Sequence, residues 1–387
     1  MTLTSPMHDL IETARTLAPT IRATAGETER LGTLAPAVLE KLRDARLFDL
    51  VLPRTFGGLE VDIITMMRVI EEVAIADGAT GWCVGIGVGT SIVSAFLRDD
   101  VARQIFRPGV ITGGPVAPLG RLTPAEGGFR LTGRWPFASG SPHCEWLIGG
   151  ALVFEGDAPR IVNGAPDWRL AVMPRADVEI LDTWHVSGLR GTGSNDIAAK
   201  NIFVPEDRTV PFLTSGPVQP GPLYHFPMIG FLALTIAPVA TGIARRAIDE
   251  LVDLARKKVP TGRGTTLRER PVAQQEIAKA EAEVRAGRAF LYEAAGDAWN
   301  TLSAGGRLTA EQRASVRLAC AHATVCAKRA VEAAYQLGGG SALYETSVLQ
   351  RQLRDIFAAT QHIVLAETNY ETAGQVIMGL DISPLTL

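Results

Sequence analysis

The sequence contains few cysteine and histidine residues, which form disulfide frameworks and metal sites. It also has no excess of the basic residues that bind nucleic acids. Among 387 residues there are four cysteines and six histidines, and no two cysteines have the CxxC spacing of a zinc site. Lys and Arg total 38 against 41 Asp and Glu, so the net charge of −3 leaves no basic excess to bind a phosphate backbone. We therefore expect reduced thiols, a cytoplasmic location, no metal and no nucleic-acid partner.

Charged residues are missing from two long stretches, residues 78–97 and 209–244. The first is long enough to span a bilayer but is rich in glycine, and the second is interrupted repeatedly by proline. Both patterns are more typical of a tightly packed interior than of lipid-facing helices. We expect both segments to be buried and the protein to have no membrane partner.

The distribution of apolar residues divides the chain into three parts. Helical periodicity extends to about residue 100, short β-rich runs separated by turns follow, and long Ala/Glu/Arg helical patterns return after residue 228. The last helix is predicted over 348–377. The sequence therefore predicts an α+β fold of three domains: an N-terminal helical domain (1–108), a central antiparallel β domain (109–216) and a C-terminal four-helix bundle (217–387).

No metalloprotease HExxH, Walker loop or dinucleotide-binding GxGxxG motif is present. The run Gly85-Ile-Gly87-Val-Gly89 resembles the last of these, but Thr90 stands where the third glycine would be and no predicted strand precedes it. We interpret these glycines as helix-packing residues.

Four segments, in the right order, resemble the acyl-CoA dehydrogenase superfamily. They are the PRTFGGL turn at 53–59, the helix start at 242–251, the QLGGG turn at 336–340 and the pair Arg354-Asp355. Three further segments, at 78–82, 133–140 and 182–194, look like its flavin-dependent monooxygenase branch. That resemblance implies the oxygenase component of a two-component enzyme. It would use reduced FMN or FAD from a separate flavin reductase, and O2, to hydroxylate a small aromatic or polycyclic substrate through a flavin C4a-hydroperoxide. The superfamily usually forms homotetramers.

The position of the catalytic base separates this function from its alternative. Dehydrogenases of the superfamily commonly place a glutamate nine residues after the Arg of the Arg-Asp pair, where this chain has Ile363. An aliphatic side chain cannot accept a proton, which weakens the alternative of an FAD-dependent acyl-CoA dehydrogenase-like oxidoreductase. A third possibility is a protein of this fold that binds no flavin. In the monooxygenase branch the preceding residue, His362, would donate a hydrogen bond to the distal oxygen of the hydroperoxide.

The resemblance also implies contacts to the flavin ring. Ser139 corresponds to a serine that bonds flavin N5, with Ser141 as an alternative, and a hydroxyl can both donate and accept. Further candidate ring contacts and hydrogen-bonding groups are Trp82, Trp135, Phe137, Thr192, Gly193 and Ser194. The flavin tail would be reached across a subunit interface by Arg263, Gln274, Gly338 and Gly339, with Arg268 and Arg270 as alternatives to Arg263.

One departure from phenol-hydroxylating relatives concerns the substrate base. Those relatives often have a histidine after the tryptophan that corresponds to Trp82, but residues 83–97 contain none. Either His143 takes this role or the substrate is not a phenol that must lose a proton. An amine, a sulfur heterocycle or a polycyclic ketone therefore stays open.

Overall fold

The computed structural model describes residues 6–212, 214–380 and 382. In chain order, a group of helices is followed by a sheet and then by a second group of helices. The helices are α1 (Pro6–Leu31), α2 (Pro36–Asp44), α3 (Ile63–Ala76), α4 (Gly78–Ser91), α5 (Asp99–Ile105), α6 (Met228–Lys257), α7 (Pro271–Ser303), α8 (Ala310–Gly338), α9 (Val348–Ala359) and α10 (Thr368–Ile377). The two groups of helices pack against each other through α3, α4 and α6. The order of helices, strands and helices confirms the predicted fold class.

The strands extend from residue 112 to residue 211. They are β1 (Thr112–Gly113), β2 (Gly120–Ala125), β3 (Gly128–Trp135), β4 (Trp146–Glu155), β5 (Ala158–Pro159), β6 (Ile161–Val162), β7 (Ala165–Pro166), β8 (Trp168–Pro174), β9 (Glu179–Leu181), β10 (Asp196–Pro205) and β11 (Thr209–Pro211). The main sheet has the order β11-β8-β4-β2-β3-β10-β9. It is mostly antiparallel, as predicted, although β4 pairs in parallel with both β1 and β2.

Helix α4 is buried because its glycines allow unusually close packing. A Cβ atom on Gly85 would lie 2.4 Å from the Thr235 carbonyl oxygen of α6, and one on Gly87 would lie 2.7 Å from the Phe48 ring. Among the residues that the structure describes, two helical segments are long and apolar enough to cross a membrane by composition, Gly78–Phe96 and Met228–Lys257. The apolar stretch within each is 89% and 78% buried, respectively, inside the protein. The expectation that residues 78–97 form an interior helix is confirmed.

The prediction of the last helix is wrong in one respect, its continuity. Instead of running from 348 to 377, it ends at Ala359, and α10 begins only at Thr368. Between them the Asn369 side-chain amide donates to the backbone carbonyls of Ile363 and Ala366. These bonds satisfy carbonyls that a continuous helix would use, so the segment folds as a turn that contains His362. Periodicity missed the break because no glycine or proline marks it.

Candidate functional site

A row of buried hydroxyl groups lies where α4 meets the sheet. The Ser139 Oγ accepts a hydrogen bond from the Trp82 Nε1 at 3.1 Å and lies 2.6 Å from the Ser194 Oγ. The Ser194 Oγ lies 2.6 Å from the Thr192 Oγ1, which is in turn 2.8 Å from the Leu189 carbonyl oxygen. We call Trp82, Ser139, Thr192 and Ser194 the hydroxyl cluster. The structure thus brings together four residues that the sequence nominated from three separate segments.

Two buried carboxylates hold the segments that carry this cluster. Asp77 caps α4, accepting hydrogen bonds from the Thr80 backbone N–H at 2.8 Å and the Thr80 hydroxyl at 2.7 Å. The Asp355 Oδ1 accepts from the Leu189 backbone N–H at 2.7 Å. Burial, with a smaller contribution from the nearby Asp77, raises the pKa of Asp355 to about 7. Asp355 therefore links α9, which leads to the turn of His362, with the loop that carries the hydroxyl cluster.

His362 lies against the same cluster from the turn after α9. Its ring meets the Trp82 ring edge-on, with centroids 5.6 Å apart. Burial lowers the pKa of His362 to about 4, so the imidazole is neutral near pH 7. The Val364 backbone N–H donates weakly to the His362 Nδ1 at 3.4 Å, which places the ring proton on Nε2. A neutral imidazole can therefore offer one N–H donor beside Trp82.

Large apolar side chains near the cluster are left exposed. Phe137 is 68% exposed, with a φ of 65°, and its ring meets Trp184 edge-on at 6.2 Å; Ile363 is 75% exposed. A cleft of about 430 Å³ opens beside Trp184 and includes Arg30 and Arg190 in its lining. Exposed apolar groups beside a buried hydroxyl suit a planar ligand with a polar edge. The cleft lining also contains Glu29 and Asp182, so the charges of its two guanidinium groups are balanced by two carboxylates.

Comparison with known proteins assigns the family. Residues 7–109 match the acyl-CoA dehydrogenase N-terminal domain, and residues 234–367 match its C-terminal domain. The indole-3-acetate monooxygenase of Pseudomonas putida is 32% identical, over 92% of this chain and 90% of its own length. The oxygenase subunit HsaA of a Rhodococcus jostii flavin-dependent monooxygenase is 30% identical, over 89% of this chain and 92% of its own. The chain belongs to the flavin-dependent monooxygenases.

The solved structures agree with this assignment. The crystal structure of 3-HSA hydroxylase from Rhodococcus sp. RHA1 superposes with a TM-score of 0.90 at 28% identity, covering 98% of this chain and 99% of that one. The protein is therefore an oxygenase component that works with flavin. These findings favour the monooxygenase over the acyl-CoA dehydrogenase alternative and over a flavin-free protein.

The residues of the monooxygenase fit a flavin at the exposed edge of the hydroxyl cluster. Phe137 would provide an aromatic surface for the ring system, and Ser139 would provide a hydroxyl at its edge. Ser194 and Thr192 are 3% and 0% exposed, so their hydroxyls support Ser139 from behind instead of facing the ligand. Gly193, with a φ of 53°, allows the tight turn between them.

The predicted contact between Trp135 and the flavin ring is not supported. Trp135 is 0% exposed, and its Nε1 donates to the Gly150 carbonyl at 2.7 Å inside the sheet. Its ring fills the space left by Gly120 and Gly133, where a Cβ atom would lie 2.5 Å and 2.6 Å from ring carbons. Trp135 is therefore a core residue of the monooxygenase.

Ser141 is also fully buried and bonds the Gly193 carbonyl at 3.4 Å, so Ser139 is the better flavin contact.

His143 lies close to Ser139 in sequence but has different neighbours. Its ring contacts Phe48, with centroids 6.4 Å apart, and a Cβ on Gly140 would lie 2.9 Å from its Nε2. Both ring nitrogens are buried without a hydrogen-bond partner. Burial, aided slightly by the charge of Arg43, lowers the pKa of His143 to about 4. A substrate base with so low a pKa would be weak near pH 7.

The low pKa of the buried His143 leads to a prediction about how folding stability depends on pH. Because its folded pKa lies below the ordinary value, the unfolded state binds the extra proton between about pH 6.5 and 4, and stability falls as pH falls through this range. At pH 5 the loss is about 2 kcal/mol relative to pH 7.5. We expect His143→Phe to shift the difference in unfolding free energy between pH 7.5 and pH 5 by about this amount relative to wild type, as measured by urea unfolding at both pH values and one protein concentration. His362 and Asp355 contribute to the rest of the pH dependence in both proteins. An unchanged difference between the two pH values would contradict the assignment.

The residues nominated for the flavin tail form a second group at the end of α6. The Lys258 ammonium donates to the Gly338 carbonyl and lies 3.4 Å from where a Cβ on Gly339 would be. Arg263 is exposed in the loop that follows, and the Gln274 amide donates to the Arg268 carbonyl at 2.9 Å. Within residues 6–212 and 214–380, no hydrogen bond joins this group to Ser139.

The sequence did not predict a pair of polar residues of which one, Thr90, lies on α4 and the other, Thr112, on β1. Trp82, Ile86 and Thr90 follow one another at four-residue steps and so share a helix face. All of α4 except Ile86 is buried, and the Thr90 Oγ1 lies 2.8 Å from the Thr112 Oγ1 of β1. The four-residue spacing could have revealed the face, but the pairing with Thr112 is long-range. In the described part of the monooxygenase, no cluster of three or more metal-ligating side chains occurs.

Proposed function

We propose that this monooxygenase hydroxylates a fused aromatic heterocycle of the indole type, with reduced FMN or FAD delivered by a separate flavin reductase. The observation that carries the proposal is His362 against the Trp82 ring, whose indole N–H bonds Ser139, in a chain whose α4 face lacks any histidine. Bound reduced flavin supplies the electrons with which one atom of O2 enters the substrate and the other leaves as water.

The protein side chains have distinct roles in this proposal. Ser139 would hold the edge of the flavin ring with its hydroxyl, and the exposed Phe137 ring would cover part of its face. His362 donates from Nε2 toward the oxygen atom that is transferred, and its low pKa keeps it neutral at working pH. The buried α4 face excludes water from this oxygen atom, since water would promote loss of hydrogen peroxide.

The absence of a substrate base favours an indole over a phenol. A phenol is activated for attack by losing its hydroxyl proton, whereas the indole ring carbons are electron-rich without deprotonation. His143 is too weak a base near pH 7 to fill the gap, and Thr90 and Thr112 offer only hydroxyl groups. The name of the Pseudomonas putida relative points to the same substrate class.

The second group of residues supports assembly as a homotetramer. Among the described residues, Arg263, Gln274, Gly338 and Gly339 have no hydrogen bond to Ser139 of their own chain, as expected if they serve a flavin held by a neighbour. Exposed apolar residues on the same helical bundle suit burial between subunits; they include Val259, Val272, Leu343 and Tyr344. We place the enzyme in the cytoplasm, where its four cysteines stay reduced.

Two substrates that share an acetate side chain test the proposal. Enzyme mixed anaerobically with reduced FMN or FAD is exposed to ¹⁸O2 with either indole-3-acetate or 4-hydroxyphenylacetate. We expect one ¹⁸O atom in the indole product by mass spectrometry, and mainly hydrogen peroxide with the phenol. Oxygenation of the phenol alone would overturn the substrate class. Peroxide alone, with every indole and phenol tried, would overturn the assigned roles of the site.

A further inference from the structure

The hydroxyl protons of the hydroxyl cluster can be assigned so that all of its hydrogen bonds are donated in one direction along the chain of hydroxyl groups. A carbonyl oxygen has no proton, so the 2.8 Å contact between the Thr192 Oγ1 and the Leu189 oxygen is favourable only if Thr192 donates. That uses the one hydroxyl proton of Thr192. The 2.6 Å contact between Thr192 and Ser194 must then be donated by Ser194.

The same elimination applies to Ser139. Since the Ser194 proton is committed to Thr192, the 2.6 Å contact between Ser194 and Ser139 must be donated by Ser139. The Ser139 Oγ also accepts from the Trp82 indole N–H at 3.1 Å. With its proton and one lone pair occupied, this oxygen retains a single lone pair and can only accept a further hydrogen bond.

We propose that this directed row of hydroxyls makes Ser139 a selector for the reduced flavin. Reduced flavin carries a hydrogen on N5 and can donate to the free lone pair of Ser139. Oxidised flavin has only a lone pair at N5, so the two acceptors would repel each other. Thr192 and Ser194 are positioning residues that act through Ser139. The inference rests on Ser139 being the flavin contact, as in the proposed function.

The end of the hydroxyl cluster at Leu189 is held in place by several hydrogen bonds. Leu189 has a φ of 51°, and its backbone N–H is held by the Asp355 carboxylate at 2.7 Å. Its carbonyl also accepts from the Thr192 backbone N–H and the Trp184 Nε1, both at 3.1 Å. Since Leu189 and Thr192 are buried, water is not available to reverse the direction.

Thr192→Val tests the direction because it removes the hydroxyl and nearly preserves the shape. The Leu189 carbonyl keeps two N–H donors, while Ser194 loses its acceptor and can donate to Ser139 instead. The Ser139 proton is then free to reach N5 of oxidised flavin. We expect the ratio of the oxidised to the reduced flavin Kd to fall about fivefold, the size of one net hydrogen bond. Thr192→Ser, which keeps the hydroxyl, should retain the wild-type ratio.

The measurement is flavin affinity in each redox state, by fluorescence titration in air and under anaerobic reduction. Thr192→Val added to Ser139→Ala should change the ratio no further, because Thr192 acts only through Ser139. An equal loss of affinity in both states, or a full effect of Thr192→Val without Ser139, would overturn the inference. Failure of the wild-type protein to bind reduced flavin would instead count against the proposed function.

Discussion

Ser139→Ala is expected to convert the enzyme from an oxygenase into a producer of hydrogen peroxide. The mutation removes the hydroxyl that lies between Trp82 and Ser194 and takes the proposed hydrogen bond away from the flavin edge. It also leaves the Trp82 indole N–H without its buried acceptor, which costs about 1–3 kcal/mol. We expect about 10- to 100-fold less hydroxylated product for each reduced flavin consumed.

The measurement is the ratio of product to hydrogen peroxide after a single turnover. Ser141→Ala is the matched control, because Ser141 is also buried on the same turn, at 0% exposed against 7% for Ser139, and its hydroxyl bonds only the Gly193 carbonyl. We expect the control to couple flavin oxidation to product within about threefold of wild type, since its hydrogen bond is long. Equal uncoupling by the two variants would show that the turn as a whole, and not the Ser139 hydroxyl, is required.

The second large effect is expected at His362. His362→Ala removes the Nε2–H donor beside Trp82 and should lower the rate of hydroxylation by about 100-fold or more, with the flavin Kd nearly unchanged. Because burial holds the pKa of His362 near 4, the imidazole stays neutral from pH 6 to 9, and wild-type turnover should show no step from this residue in that range.

Single-turnover product yield and flavin titration separate the chemical role of His362 from binding. His225→Ala serves as the control, because His225 is an exposed histidine at the end of a short helical turn before α6. A His362→Ala enzyme with wild-type product yield would exclude the proposed donor. A loss of flavin affinity equal to the loss of rate would assign His362 to binding instead.

Local patterns in the sequence were enough to predict the order of domains. Helical periodicity and the alternation of strands depend on neighbouring residues, so the helical ends and the central sheet were predictable. The glycines of α4 were recognised as packing residues for the same reason. The break at Ala359 was not predictable, because it depends on Asn369 satisfying the carbonyls of Ile363 and Ala366.

The site was predictable in part. Ser139, Thr192, Ser194 and His362 were nominated by resemblance, and the structure places them around Trp82. Trp135 was nominated in the same way but fills the sheet core. Alternation along a strand shows that such an aromatic points to one face, but it does not show which face is covered by the protein and which by a ligand.

The scarcity of cysteine, histidine and net positive charge was readable without coordinates, and it led us to expect no disulfide framework, no zinc site and no nucleic-acid partner. Composition is a property of the whole chain and does not depend on folding. The direction of the hydroxyl row, the carboxylates that hold it and the low pKa values of His143 and His362 required the tertiary structure. Each of these depends on burial and on contacts between residues far apart in the chain, because a proton is assigned, or a charge destabilised, only by the groups that surround it in space.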